Sequence, residues 1–256
     1  MNELGGKLSR SLKGVCPELT ICMPTFNRGR KALKSVQLML QNGLNSSWQI
    51  LVLNNGSSCE KKYYKDIEKI SQYDNRIKYI EKITNTGFAR NFLDCFKLSE
   101  STYLIFVADE DIVDSSGAAK ILNILQSNPM LGAVRGSVAG LGGVFRGNSF
   151  TFEDQILESK SDRFHKFSLF NNYMSGCAYN REIVIEHNLI ERVEKGLPNH
   201  EDYPHLYLSI LVSAVAPVAI SSIVLALEGE SSDDEITYKD AYQLGRRFDQ
   251  FVHLRD

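Results

Sequence analysis

Short continuous apolar runs alternate with amphipathic stretches along the first 110 residues of the chain. Leu19-Thr20-Ile21-Cys22-Met23 reads as a buried strand stopped by Pro24. Leu33, Val36, Leu40 and Leu44 then recur at helical spacing, with Gly43 placed to end the helix. Residues 48–53 form the next apolar run and lead into the turn sequence NNGSS. The Lys- and Tyr-rich residues 60–73 predict a solvated helix, and residues 77–80 a third strand. Phe88, Phe92 and Phe96 mark one face of a helix that opens at Asn85-Thr86-Gly87. Residues 103–107 are a fourth strand, running directly into Asp109, Glu110 and Asp111.

Strand and helix alternating in this way imply a parallel sheet covered by helices on its faces. Ligands of such sheets bind beyond the carboxyl ends of the strands. The polar punctuation PTFNR, NNGSS, NTG and DED falls at those ends, so the four loops should converge on one crevice. Beyond Asp111 a helix is expected from Ser115 to about Leu125, a strand over residues 132–138 and a glycine-rich loop or hairpin over 140–149. No repeat, low-complexity tract or clear linker divides the chain, so a single domain is expected.

Residues 206–227, LYLSILVSAVAPVAISSIVLAL, carry no charge and are long enough to span a bilayer. Pro217 interrupts the run and serines dilute it, so a buried helix followed by a buried strand is the favoured reading.

Lys plus Arg number 29 and Asp plus Glu 31, a net charge of -2 that argues against a dedicated nucleic-acid binder. Five scattered cysteines without a C-x-x-C pair fit free thiols in a reducing compartment. The opening MNELGGKLSRSLKG lacks the apolar core of a signal peptide, so a cytoplasmic location is expected.

Asp109 and Asp111 lie two apart beyond a strand end, where a divalent cation would offset their repulsion. An EF-hand loop is excluded because Asp114 stands where that loop needs glycine. Asp109-Glu110-Asp111-Ile112-Val113 also fits the D-x-D-x-[TV] motif of haloacid-dehalogenase phosphatases, with Asp109 as nucleophile. That motif normally ends the first strand of its domain, whereas three strand-helix units precede it here. The loops favour a different ligand: helix starts and Arg28 suit phosphate, and the amides and hydroxyls of NNGSS suit a base or ribose.

LTICMPTFNR, ILVLNNGSS, NTGFARN and FVADED, in this order, resemble the N-terminal half of family 2 glycosyltransferases of the GT-A fold. The resemblance implies a Rossmann-like, mostly parallel α/β sheet flanked by helices. It places Pro24, Thr25, Asn27, Arg28, Asn54 and Asn55 on the nucleotide and Gly87, Arg90 and Asn91 near the diphosphate. Asp109 and Asp111 would bind manganese or magnesium with the donor phosphates, and Glu110 is the variable middle residue on the donor-binding side. Asn54 and Asn55 depart from the two aspartates common in the family, which alters the hydrogen bonds offered to the base.

Asn199-His200-Glu201-Asp202 resembles the family's E-D motif, making Asp202 the expected general base and Glu201 the alternative. Tyr173-Met174-Ser175-Gly176-Cys177 resembles the segment before that motif, its small residues suited to close approach of the sugar. His165, His187, His200 and His205 show no ligand spacing.

The implied activity is inverting, metal-assisted transfer of a sugar from a nucleotide-diphosphate donor to a glycan or lipid-linked glycan, as in bacterial surface polysaccharide synthesis. Peripheral contact with the inner face of the plasma membrane would follow. The corresponding division is an extension over 1–17, a nucleotide-sugar half over 18–115, an acceptor half over 116–213 and a tail over 214–256 packing on the domain. A non-catalytic sugar-nucleotide-binding module is the alternative without turnover. A nucleotidyltransferase lacks its glycine-rich opening loop here.

Overall fold

A computed structural model describes residues 16–140, 154–169, 173–197, 199 and 201–229. The first half follows the expected alternation. Strand β1 (Leu19–Thr25) leads to helix α1 (Gly29–Gln41), β2 (Trp48–Asn54) to α2 (Lys61–Tyr73), and β3 (Ile77–Glu81) to α3 (Phe88–Leu98). Strand β4 (Tyr103–Phe106) then runs into the acids, followed by the two-residue β5 (Ile112–Val113) and helix α4 (Ser115–Ser127). Gly43 takes a φ of 78° just past the C-cap Asn42, as a helix-ending glycine should. Asp114 caps α4, its side chain accepting the Gly117 N–H at 2.6 Å.

Proline does not stop β1. Pro24 stays in register with Leu53 of β2. Its nitrogen faces the β4 edge, where the last ladder bond is Val107 N–H to Cys22 O, so the missing donor interrupts nothing.

The second half contributes β6 (Ala133–Gly140), β7 (Gln155–Leu157), a short α5 (Lys160–Asp162) continuing into a π-helical stretch (Arg163–Leu169), and β8 (Cys177–Asn180). Helices α6 (Arg181–Glu186), α7 (Leu189–Gly196) and α8 (Pro204–Val215) follow, then β9 (Val218–Glu228). The sheet order is β3-β2-β1-β4-β8-β6-β9-β5, with β7 also paired to β9. Pairs among β3, β2, β1 and β4 are parallel, whereas β8 is antiparallel to both its neighbours. The expected mostly parallel sheet is therefore parallel in its first half and mixed in its second.

Residues 206–227 divide at Ala216-Pro217 into α8 and β9. Among the described residues no helix is long and apolar enough to cross a membrane. Residues 214–215 close α8, and β9 follows as an interior strand paired with β6, β5 and β7. Its apolar run is long because the strand is enclosed. Residues 141–149 of the glycine-rich stretch and nearly all of the N-terminal extension lie outside the described residues.

Side chains alternate across each strand, so two cores form. Ile21, Met23, Ile50, Val52 and Ile105 pack under α1, α2 and α4. Cys22, Leu51, Leu53, Leu104 and Phe106 pack under α3, α7 and α8. Both helical layers leave the carboxyl ends of β1, β2 and β4 at one rim.

Candidate active site

At that rim Asp109 follows β4 and is 4% exposed. Its Oδ1 pairs with Arg28 Nη1 at 2.9 Å, and its Oδ2 accepts the Thr25 hydroxyl at 2.8 Å. Ser35 on α1 holds the Asp109 carbonyl at 3.0 Å. Arg28 also forms an ion pair with Glu110. Glu110 is thus tied to Asp109 through a shared guanidinium. Burial pushes the Asp109 carboxyl well above the usual carboxylate range, against the pull of Arg28 and the Thr25 donor.

Asp111 points into a separate set of donors and is fully buried. Its Oδ2 accepts the Tyr173 and Ser175 hydroxyls, each at 2.6 Å, and its Oδ1 accepts the Gly229 N–H at 3.1 Å. Ser175 in turn accepts the Ala108 N–H at 2.9 Å, fixing the loop between the two aspartates. Burial raises the Asp111 carboxyl, and these three donors oppose the shift. Gly229 is required where it stands, since a Cβ there would meet the Glu110 carbonyl at 1.8 Å.

The amides assigned to the nucleotide are committed to other loops. Asn27, at a φ of 58°, accepts the Ser58 N–H at 2.9 Å and the Cys59 N–H at 3.2 Å through Oδ1. Asn54 donates to the Tyr79 hydroxyl at 3.0 Å and accepts the Ser57 N–H at 3.2 Å. Asn55 donates to Asn85 Oδ1 at 2.7 Å and Gly87 O at 3.1 Å, while its Oδ1 accepts the Thr86 N–H and hydroxyl, both at 3.1 Å. Asn91 donates to Leu53 O at 3.0 Å, and Pro24 is buried. In this structure the Asn27, Asn54, Asn55 and Asn91 side chains each hydrogen-bond a neighbouring segment. Adjoining segments bury one another's polar groups, which are largely satisfied internally, although Asn91 Oδ1 has no partner among the described residues.

Phe26, Gly87, Phe88 and Arg90 are exposed at the rim, and Arg28 is partly exposed. Phe26 had no sequence signal beyond its place between Thr25 and Asn27. Tyr64 was likewise unforeseen: its hydroxyl bonds Thr25 Oγ1 at 2.9 Å and accepts the Arg28 N–H at 3.0 Å. Gly87, at a φ of 85°, starts α3 without a side-chain cap, so no capping side chain occupies the first N–H groups of that helix.

The E-D motif reaches the same rim. Glu201 is exposed, Asp202 is half-buried, and both precede α8. The ring of His205, in the first turn of α8, lies 6.3 Å from those of both Phe88 and Phe92. The head of α8 therefore rests on the start of α3. His200 lies outside the described residues, and His165 and His187 are remote in the chain from both elements.

Among the described residues no three His, Cys, Asp or Glu side chains form a metal cluster. A cation carried largely by substrate phosphates needs only one or two carboxylates. Asp111 fits that need in donor chemistry: a hard carboxylate braced by two hydroxyls, as ligating carboxylates are, with Oδ1 holding a single hydrogen bond. Asp109 offers a second carboxylate, its oxygens meeting Arg28 and Thr25 as those of Asp111 meet Tyr173, Ser175 and Gly229. The phosphatase expectation has no support here. Asp109 follows the fourth strand rather than the first, and its carboxylate is bound to a guanidinium.

A family model described as Glycosyl transferase family 2 matches residues 20–187. The TarS 1-349 structure from S. aureus superposes with a TM-score of 0.66 at 11% identity, covering 83% of this chain and 60% of that one. TarS 1-349 in complex with UDP-GlcNAc gives 0.63 at 13% identity, covering 84% and 59%. The mannosyltransferase PcManGT from Pyrobaculum calidifontis, in complex with GDP-Man and Mn2+, gives 0.57 at 13% identity, covering 94% and 65%. The chain thus shares their GT-A fold and spans about 60% of the TarS 1-349 chain. No curated protein matches the sequence.

Proposed function

The chain belongs to glycosyl transferase family 2, and from that premise we propose that it moves a sugar from a nucleoside-diphosphate donor to a hydroxyl acceptor with inversion. The contact of His205 with Phe88 and Phe92 carries the reading, because it seats the E-D motif beside the loops that end the parallel strands.

The donor lies along the rim with its diphosphate at the start of α3. There the unbonded helix N–H groups and the exposed Arg90 favour anionic oxygens. Phe26 offers an open aromatic face for the base, and Arg28, held rigid by Asp109 and Glu110, lines the same side. Asn27, Asn54 and Asn55 act by fixing the loops rather than by touching the nucleotide.

Asp202 takes the proton of the acceptor hydroxyl as its oxygen attacks the anomeric carbon from the face opposite the nucleotide. The new glycosidic bond forms as the bond to the diphosphate breaks, and the electron pair leaves on the diphosphate. A manganese or magnesium ion, held by Asp111, would supply Lewis-acid stabilisation of that leaving charge. The acceptor is proposed to be a glycan or lipid-linked glycan, which would bring the protein to the inner face of the plasma membrane. Residues 18–115 serve the donor and the following residues the acceptor.

Thermal shift with UDP, GDP, UDP-GlcNAc and GDP-mannose, with and without manganese, tests donor binding. Ligand at a hundred times its Kd should stabilise the fold by about 2.7 kcal/mol. Release of nucleoside diphosphate then separates a transferase from a module that only binds. No stabilisation by any of these nucleotides would sink the proposal.

A further inference from the structure

Arg135 projects from β6 into the core beneath α8 and is 5% exposed. Its Nη1 donates to Tyr173 O at 3.2 Å and its Nη2 to the Ser209 hydroxyl at 3.3 Å, while Nε has no partner. Phe167 lies 5.1 Å from the guanidinium. Among the described residues no carboxylate pairs with it. The titratable groups facing it are the Cys177 thiol and the Tyr179 phenol, both kept protonated by burial. Ion pairing in the core therefore does not explain this cation. A buried charge with only neutral partners costs stability that an apolar side chain of similar volume would not.

Geometry supplies a reason. The residue whose carbonyl Arg135 holds is Tyr173, whose hydroxyl holds Asp111 at 2.6 Å. The hydroxyl it reaches on the other side is Ser209, which bonds His205 O at 2.8 Å and Tyr179 OH at 3.0 Å. His205 belongs to the first turn of α8, three residues after Asp202. One planar guanidinium thus links the turn that braces the donor-side acid to the helix that presents the proposed base. Register between β6 and β9 shifts just beyond Arg135, an irregularity that re-aims strand side chains beside functional sites.

We propose that Arg135 is a positioning residue that sets the separation between Asp111 and the acid pair at the head of α8. The inference rests on the transferase reading. Arg135 touches neither substrate, so its removal should slow the chemical step while donor affinity persists. Misplacing a catalytic group by about 1 Å costs on the order of a hundredfold in rate.

The test compares wild type with Arg135→Met, Arg135→Lys and Ser209→Ala. Nucleoside diphosphate release from UDP-GlcNAc and GDP-mannose, with water as acceptor, gives kcat and donor KM, and thermal melting reports the fold. Arg135→Met should melt at or above the wild-type temperature, keep the donor KM within about twofold, and lose on the order of a hundredfold in kcat. Arg135→Lys, reaching one of the two acceptors, should recover part of that loss. Ser209→Ala removes one arm without touching the charge. It should lower kcat at unchanged KM even if Arg135→Met fails to fold. An active wild type whose folded Arg135→Met or Ser209→Ala variant retains full kcat overturns the inference alone. A wild type that releases no nucleotide from either donor overturns the transferase reading, and this inference with it.

Discussion

Arg28 and Asp109 meet at 2.9 Å across the rim of the sheet, joining the loop after β1 to the loop after β4. The carboxylate is almost fully enclosed, whereas 29% of the Arg28 side chain remains exposed. The pair is a hinge pin between two loops, with the cation facing the crevice and the anion facing the core. Glu110 completes it from the other side of the guanidinium.

Breaking this pair from the cation side strands a buried carboxylate. Arg28→Met should lower stability by about 2–3 kcal/mol, below the range for fully buried pairs because Arg28 is partly solvated. Asp109→Asn in the same background should recover part of the loss. Chemical denaturation of the four proteins gives the coupling directly, and a value under about 0.5 kcal/mol would show the loops to be held by other contacts.

Asp202→Asn should reduce transfer by about 10²–10⁴-fold, the usual contribution of a positioned general base. Nucleotide affinity, measured calorimetrically with UDP or GDP, should stay within about twofold, since the residue serves the acceptor. Glu201→Gln is the control and should be mild. The reverse ranking would move the base to Glu201.

Asn55→Asp tests why this chain departs from the aspartates common in the family. The new carboxylate oxygen would face Asn85 Oδ1 and Gly87 O, two acceptors that now receive N–H bonds at 2.7 and 3.1 Å. At a buried site the loss should be about 2 kcal/mol or more. The start of α3 should loosen with it, raising the donor KM. A variant as stable as wild type, by melting and by donor KM, would show that the loop tolerates either residue.

Asp74 and Arg76 give a pH signature remote from the site. Arg76 donates to both Asp74 oxygens, at 2.6 and 3.0 Å, and to Leu44 O at 2.9 Å. The Arg76 hydrogen bonds hold the Asp74 carboxyl below its usual range. A depressed pKa means that folding favours the ionised form. The stabilisation is present above the unfolded value of about 3.9 and is lost as pH falls through the lower folded value. Asp74→Asn should therefore cost about 0.5–1 kcal/mol at pH 7 and progressively less in acid. Equal loss at pH 7 and pH 2.5 would rule out this origin.

Much of the fold was legible because the first half obeys simple periodicity. Leu19–Thr25, Trp48–Asn54 and Tyr103–Phe106 are enclosed on both faces, so they are written as unbroken apolar runs. Helix α1 shows the limit of that reading. Its most buried residues are Ala32, Val36 and Met39, while Leu33 and Leu40 flank the core, because spacing defines a face only to within one position. Pro24 marked a strand end in sequence and continued the strand in space, since only the position of β4 shows that its nitrogen needs no partner.

By itself the sequence determined the alternation, the four loops at the strand ends, the acids after β4 and the E-D pair before an apolar helix. These follow from local period and residue chemistry, which do not depend on neighbours remote in the chain. Only the tertiary structure decided what each polar side chain does. Asn27, Asn54 and Asn55 look like ligands when read alone, yet each hydrogen-bonds another loop, and Asn54 and Asn55 are buried there. Asp109 and Asp111 look like one metal pair, yet they turn to different partners, Arg28 and Thr25 for one, Tyr173, Ser175 and Gly229 for the other. The physical reason is the same in each case. A buried donor or acceptor must find its complement among whatever groups the fold brings beside it, and that company is set by the packing of segments far apart in the chain.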